Sequence, residues 1–237
     1  MSQRTGPPHV LIEDLHVDPT AFVAPGAAVV GRVTLGARAS VWFAATIRAD
    51  MDRAELGEES NLQDGSVIHV DEGFPTIVRR RVTIGHRAVV HGATLEDECL
   101  VGMGAVVLNG AHVGRGALVG AGALVREGQE VPPGALAVGA PARVVGQVSA
   151  ELAERMARGV DHYAALGEAY RAKGYGAPLP AGGAALLPAG GSPEPELDWA
   201  GAVLLLTAMP TRLSAGLAGL AAAGWRKRPA EDRWAVV

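Results

Sequence analysis

The sequence predicts an all-β protein with one C-terminal helix, in which the β part is a parallel β-helix of hexapeptide repeats. From Val23 to Val131, aliphatic residues recur at every sixth position with three breaks, a spacing that neither a helix nor an alternating strand produces. Aromatic residues make up only 4% of the chain, whereas glycine occurs 32 times. A fixed period of small and aliphatic residues is typical of a stacked solenoid, and the strands of a sandwich would not keep this phase.

The repeat also predicts which side chains form the core. In each hexapeptide the aliphatic residue should point inward, and three hexapeptides should make one triangular coil of about 18 residues. The predicted inward residues are Val23, Val29, Leu35, Val41, Ile47, Leu56, Leu62, Ile68, Val78, Ile84, Val90, Leu95, Val101, Val107, Val113, Val119, Val125 and Val131. Stacked coils would place them in continuous ladders between parallel sheets.

Three breaks in the period mark positions where the coils differ in length. The spacing lengthens over Ile47–Leu56 and over Ile68–Val78, and it shortens over Val90–Leu95. Insertions in a solenoid usually form loops on one face, often the binding face. We therefore expect loops at Arg48–Glu55 and His69–Thr76, where polar residues also concentrate.

The chain divides into three predicted parts. Residues 1–148 hold the β-helix and its polar site. Residues 149–174 are rich in helix formers and predict an amphipathic helix packed on the solenoid, with Ser149 at the N-cap and Gly174 at its end. Residues 175–237 form a linker rich in Gly, Ala and Pro, followed by an apolar tail of unknown role.

Charge, cysteine content and the two termini restrict the partners and the location. A net charge of −4 gives no basic footprint for nucleic acid, and the single Cys99 excludes an internal disulfide framework. The N-terminal residues lack the apolar stretch of a secretory signal, so we expect a cytoplasmic protein. The tail Gly201–Gly224 is long enough to span a membrane, but Pro210 and Arg212 lie at its centre, so we expect no membrane contact through it.

Three of the seven histidines, His69, His86 and His91, fall within 23 residues. Three imidazoles with one open position are the arrangement of a catalytic zinc site. On a coil of about 18 residues, His69 and His86 can lie on the same edge in successive coils. His91 follows His86 by most of one side of the triangle, so one rigid chain hardly directs both at one metal. Packing against a symmetry-related subunit would allow it.

The segments Arg48–Asp50, Asn61–His69 and Ile84–Gly92 resemble the signature of the γ-class carbonic anhydrases. The similarity extends from about Phe22 to about Tyr170. The resemblance implies a left-handed β-helix that assembles as a homotrimer, with metal sites at the subunit interfaces.

By the same resemblance, His69 and His91 of one subunit and His86 of its neighbour hold one metal ion. Zn²⁺ lowers the pKa of a bound water to about 7, so that metal-bound hydroxide can attack CO₂ and give bicarbonate. Fe²⁺ or Co²⁺ would also suit three imidazoles.

Further roles follow from the resemblance. The resemblance implies that Gln63 orients the metal-bound water and that Asn61 supports the substrate or the site. The two residues are two positions apart on a strand, so both amides lie on the same side. Arg48 and Asp64 form an intersubunit ion pair, and Asp50 makes another interfacial contact.

Two more residues take roles near the site in this comparison. Glu72 matches a loop glutamate that exports the proton, while Met51 replaces a second glutamate that the family leads us to expect. Tyr163 matches a tyrosine that approaches the metal, although packing of the predicted helix would also explain it.

Three other functions stay open at this point. The first is a relative that keeps the metal site and acts as a thioesterase or another hydrolase. The second is a hexapeptide acyltransferase, in which one interface histidine serves as the general base without a metal. The third is a non-catalytic scaffold that uses the fold for assembly.

Overall fold

Short strands stack in three faces around one axis in the computed structural model, which describes residues 13–176, and all of them pair in parallel except the last, which is antiparallel. Face 1 consists of β2 (Phe22–Val23), β4 (Ser40–Val41), β6 (Asn61–Leu62), β9 (Thr83–Ile84), β12 (Leu100–Val101), β15 (Leu118–Val119), β18 (Ala135–Val138) and β19 (Arg143–Gln147). Face 2 consists of the first halves of β3 (Ala28–Leu35) and β5 (Thr46–Leu56), with β7 (Val67–His69), β10 (Val89–His91), β13 (Val106–Val107) and β16 (Leu124–Val125). Face 3 consists of β1 (Glu13–Val17), the second halves of β3 and β5, β8 (Thr76–Val78), β11 (Thr94–Leu95), β14 (His112–Val113) and β17 (Glu130–Val131). The predicted β-helix is therefore confirmed.

The core of the solenoid is the predicted aliphatic ladder. Every hexapeptide residue from Val23 to Val131 that the period placed inside is at most 1% exposed. Each such side chain contributes about 1.5–3 kcal/mol through its burial. Alanines at neighbouring inward positions leave room for these larger residues where the faces meet.

All three breaks in the period lie at the corner between faces 2 and 3. The loop predicted at Arg48–Glu55 is wrong, because these residues belong to β5, which passes through the corner as one strand. Its first half pairs with β7 and its second half with β8. The second insertion does leave the solenoid, as a turn closed by a bridge between Asp71 and Phe74. The corner that follows β10 is closed with one residue fewer, as the short spacing requires.

The C-terminal helix α1 (Ala150–Ala172) packs along face 1 against β2, β4, β6 and β9. The predicted N-cap is confirmed, since the Ser149 hydroxyl accepts a hydrogen bond from Leu152 N at 3.2 Å. The helix ends before Gly174, whose φ of +76° is the left-handed conformation that glycine adopts without strain. Met156, Val160, Ala164 and Gly167 form its buried side.

Ion pairs attach α1 to the corner between faces 3 and 1. Glu59 accepts hydrogen bonds from Arg38 Nη1 and from Arg81 Nη1, both at 2.5 Å. Arg81 Nη2 also donates to Asp161 Oδ1 at 2.8 Å, and Arg38 Nε donates to Glu168 Oε1 at 2.6 Å. Because Asp161 and Glu168 belong to the helix, these contacts fix its position relative to the solenoid.

The predicted linker and the apolar tail Gly201–Gly224 lie outside the described residues. Among residues 13–176, no helix is long and apolar enough to cross a membrane.

Candidate metal centre

His69 and His91 face each other at the end of face 2. They occupy paired positions of β7 and β10, and His69 Nδ1 lies 2.7 Å from His91 Nε2. The expectation that His69 and His86 share an edge is wrong, because the inserted turn after His69 lengthens that coil. In the next coil, His86 is stacked on Asp64, whereas His91 is stacked on His69. At 2.7 Å the His69 and His91 nitrogens share a hydrogen bond, and both can bind one metal ion once that hydrogen is displaced.

Asn109 holds the His91 ring, a contact that the sequence reasoning missed. Its Oδ1 lies 2.6 Å from His91 Nδ1, and its Nδ2 donates to Asp71 Oδ2 at 3.0 Å. The sequence spacing indicates this contact, because Asn109 follows His91 by 18 residues, which is the length of one coil. We call His69, His91 and Asn109 the paired half-site.

The imidazole of His69 is largely buried, with 14% of its side chain exposed. Among the described residues, its Nε2 has no hydrogen-bond partner; it lies 3.5 Å from Asp50 Oδ1, a buried atom that likewise lacks one. Burial lowers the pKa of His69, and the charges of Arg48 and His91 lower it further. Neutral imidazole, the form that binds metals, is therefore favoured.

Arg48 and Asp50 form an ion pair beside His69. Arg48 Nη1 donates to Asp50 Oδ2 at 2.5 Å. Burial acts to raise the pKa of Asp50, but the hydrogen bond and charge of Arg48 outweigh it, so the net shift is downward. The intersubunit pair of Arg48 with Asp64 stays a prediction. Both side chains are nearly half exposed in the single chain, so both are accessible to a neighbouring subunit.

His86 lies at the opposite end of face 2, in the turn before β10. Its Nδ1 is 3.0 Å from Asp64 Oδ2, and its Nε2 is 3.5 Å from the Tyr163 hydroxyl. The side chain is 41% exposed. Burial raises the pKa of Tyr163, and the charge of Asp64 adds to the shift, so Tyr163 is a neutral hydroxyl near neutral pH. We call His86, Asp64 and Tyr163 the single-histidine half-site.

An aromatic cluster between face 1 and the second half of α1 positions Tyr163. Its ring meets Trp42 edge to face with centroids 5.3 Å apart. Tyr170 contacts Trp42 and Phe22 in the same manner, which agrees with a packing role for that residue. The helix thus carries Tyr163 to His86 and fixes it there.

Asn61 and Gln63 are buried polar residues beneath the helix, next to the turn that carries Asp64. Asn61 Nδ2 donates to Thr83 Oγ1 at 3.1 Å, and Gln63 Nε2 donates to Asn61 Oδ1 at 3.1 Å. These bonds hold both amide groups in place. Glu72 lies elsewhere, exposed in the turn that follows His69, and Met51 is exposed in β5.

The chain does not bring the three histidines together. Within residues 13–176, no group of three or more His, Cys, Asp or Glu side chains lies close enough to hold a metal ion. Between the two half-sites, the outer surface of face 2 carries a ladder of partly exposed aliphatic side chains, which are Val67, Val89, Val106 and Leu124.

Comparison with known proteins decides the family. Over 146 residues the chain is 50% identical to a protein of Methanocaldococcus jannaschii named probable carbonic anhydrase, and the match covers 62% of this chain and 92% of that protein. The chain belongs to the γ carbonic anhydrase-like family. Gamma carbonic anhydrase 1 of Arabidopsis thaliana mitochondria is 39% identical over 163 residues, which cover 66% of this chain and 59% of that longer protein.

The fold of this γ carbonic anhydrase-like chain also has solved counterparts. A family model described as the hexapeptide repeat of succinyl-transferase matches residues 75–109. The crystal structure of a Bacillus cereus protein, described provisionally as an acetyltransferase, has a TM-score of 0.67 and 34% identity, covering 68% of this chain and 94% of that one. Similarity to both groups means that the fold alone does not choose between hydration and acyl transfer.

Proposed function

We propose that this protein is a metal-dependent carbonic anhydrase-like hydratase, a lyase that interconverts CO₂ and bicarbonate. The observation that carries the proposal is the 2.7 Å approach of His69 to His91 at one end of face 2, with His86 at the other end. A homotrimer would bring the paired half-site of one subunit against the single-histidine half-site of the next. The aliphatic ladder between them supplies an apolar surface for that contact.

The donor set fits a divalent transition-metal ion. Burial lowers the pKa of His69 and favours its neutral imidazole, whose Nδ1 approaches Nε2 of His91 to 2.7 Å. Three imidazoles suit Zn²⁺, and Fe²⁺ and Co²⁺ also accept them. A metal ion bound there would lower the pKa of a coordinated water to about 7 and so supply a nucleophile for CO₂ at neutral pH.

Other side chains would orient water and move protons. Gln63 is buried and fixed by its bond to Asn61, so its amide can orient the attacking water without losing side-chain entropy during the reaction. Glu72 is exposed in the turn beside the paired half-site, where an acid can pass the released proton to buffer. Tyr163 would hold the His86 ring through its hydroxyl.

Metal content and CO₂ hydration test the proposal together. The full-length protein, prepared with Zn²⁺ and separately with Fe²⁺ without oxygen, should contain about one metal ion per subunit and hydrate CO₂ in a stopped-flow assay. His86→Ala should remove both properties, whereas His112→Ala, on face 3, should remove neither. A trimer that contains no stoichiometric metal, and whose activity survives His86→Ala, would contradict the proposal.

Acyl transfer is the second candidate, because the structural counterpart from Bacillus cereus is described as an acetyltransferase. In that reaction a single histidine would act as the general base toward an acyl acceptor, with no need for a metal. A panel of acyl-CoA esters in the presence of a chelator separates the two functions. Turnover that survives metal removal would favour acyl transfer, whereas metal-dependent hydrolysis of the esters would favour a thioesterase. Metal binding without any turnover would favour a scaffold.

A further inference from the structure

Asn109 lies outside the histidine triad, yet it determines how the His91 ring is held. Its amide contacts His91 on one side and Asp71 on the other. Asp71 is a carboxylate and can only accept at that contact, so the NH₂ group of Asn109 must face it. The carbonyl Oδ1 of Asn109 therefore faces His91, and His91 Nδ1 must donate the hydrogen.

This orientation makes Nε2 the acceptor nitrogen of His91, which faces His69 Nδ1. When Nδ1 carries the hydrogen of the neutral ring, Nε2 carries the lone pair, and Nε2 is the atom that lies 2.7 Å from His69. Metal-bound histidines generally donate their other ring N–H to such a partner. Asp71, Asn109 and His91 thus form one chain of hydrogen bonds that ends at the paired half-site.

The surrounding backbone leaves space for this contact. A Cβ atom on Gly92 would lie 2.3 Å from Asn109 Oδ1 and 2.8 Å from Phe74 Cβ. Gly92 N also donates to Thr76 Oγ1 at 2.9 Å, which ties the corner after His91 to the start of β8. The absence of a side chain at Gly92 is therefore what admits the Asn109 amide to the His91 ring.

We propose that Asn109 is a positioning residue for the metal site: oriented by Asp71, it fixes His91 in the Nδ1–H tautomer and points Nε2 at the metal position. The inference rests on the proposed metal site. It also connects the turn that carries Glu72 to the ligand His91, because Asp71 belongs to that turn.

The first test uses the metal-free trimer. Nitrogen-15 NMR of labelled histidine should show the Nδ1–H tautomer for His91, and Asn109→Leu should convert it to a mixture. Glu127→Leu is the matched control, since Glu127 is exposed and lies one coil beyond Asn109. If Asn109→Leu keeps the Nδ1–H tautomer, the positioning role is refuted, whatever the protein does with metals.

The second test measures Zn²⁺ affinity by competition with a chelator. Asn109→Leu should weaken binding about 10- to 100-fold, and Glu127→Leu should leave it unchanged. Adding Asp71→Ala to Asn109→Leu should have little further effect, since Asp71 acts through the amide. If the unmodified protein binds no Zn²⁺, the proposed function fails; if it binds and Asn109→Leu binds equally well, only the positioning role fails.

A rescue variant separates positioning from general stability. Asn109→Asp alone places two carboxylates together and should weaken binding, because like charges repel. Combined with Asp71→Asn, it restores one carboxylate acceptor for His91 and one amide donor toward residue 109. The double variant should recover Zn²⁺ affinity to within a few-fold and give the visible spectrum of the unmodified protein when loaded with Co²⁺. Failure to recover would contradict the hydrogen-bond chain.

Discussion

The paired half-site and the single-histidine half-site lie at opposite ends of face 2, and one chain completes them to different degrees. His69 and His91 contact each other, and Asn109 and Asp71 extend that contact over successive coils. Within residues 13–176, the His86 ring contacts Asp64 and Tyr163, and its side chain is 41% exposed. The stacked coils of a single chain therefore order the paired half-site without a partner subunit. The single-histidine half-site depends on Tyr163 of α1, which follows His86 by 77 residues in the sequence.

The difference shows what each part of the fold contributes. Parallel strands stack with a fixed register, so histidines at paired positions of β7 and β10 meet without help from other elements. Tyr163 reaches His86 only because ion pairs and aromatic contacts hold α1 on face 1. Variants that separate these two supports therefore test the comparison.

The largest effect should come from mixing two inactive proteins. His69→Ala and His86→Ala should each abolish metal binding and activity, because each removes a different half of every site. Refolding them together at equal amounts should restore about one quarter of the interfaces, since a cyclic trimer joins unlike surfaces of neighbouring subunits. Stopped-flow CO₂ hydration measures the recovery. No recovery in mixed trimers, with each protein folded, would contradict a metal site shared between neighbouring subunits.

The next largest effect is expected at Arg48, beside His69. Arg48→Glu should disrupt the predicted contact with Asp64 of a neighbour, so the mass measured by light scattering should fall and Zn²⁺ affinity should drop at least about tenfold. Arg53→Glu is the control, because Arg53 lies in the same strand β5 but past the corner, on face 3. Loss of assembly with full retention of metal would show that the paired half-site is sufficient alone.

Arg81 tests the support of the single-histidine half-site. Arg81→Gln leaves Glu59, which is 14% exposed, with one ion-pair partner instead of two and releases Asp161 on α1. We expect the free energy of unfolding to fall by about 1–3 kcal/mol. Hydrogen exchange should rise in α1 and not in β7 or β10. Arg80→Gln, at an exposed neighbour, provides the baseline, and equal exchange in both variants would argue against the ion pairs as the anchor of the helix.

The smallest effect is expected from the Tyr163 hydroxyl. Its 3.5 Å contact with His86 is long, so Tyr163→Phe should change kcat/KM no more than about fivefold and leave stability nearly unchanged. Tyr170→Phe serves as the comparison, since Tyr170 packs on Phe22 and Trp42. A loss beyond about 100-fold for Tyr163→Phe alone would instead indicate a direct role in the reaction.

Local features of the fold could be predicted from residues alone. Every aliphatic residue that the period of six placed inside is buried, because the same position of each repeat faces the core. Ser149 and Gly174 marked the ends of α1, since capping depends on neighbouring backbone groups. The prediction of a loop at Arg48–Glu55 was wrong, because the inserted residues form part of the long strand β5, which passes through the corner.

The sequence by itself determined the solenoid, its core and the three histidines, because these follow from the chemistry and spacing of neighbouring residues. Spacing alone did not decide which histidines meet, and only the resemblance paired His69 with His91; the tertiary structure shows that these two meet and that His86 stands apart. Register depends on how inserted residues are accommodated at a corner, and spacing along the chain does not contain that information. The contacts of Asn109 with His91 and of Tyr163 with His86 likewise arise only when coils stack and α1 docks on face 1.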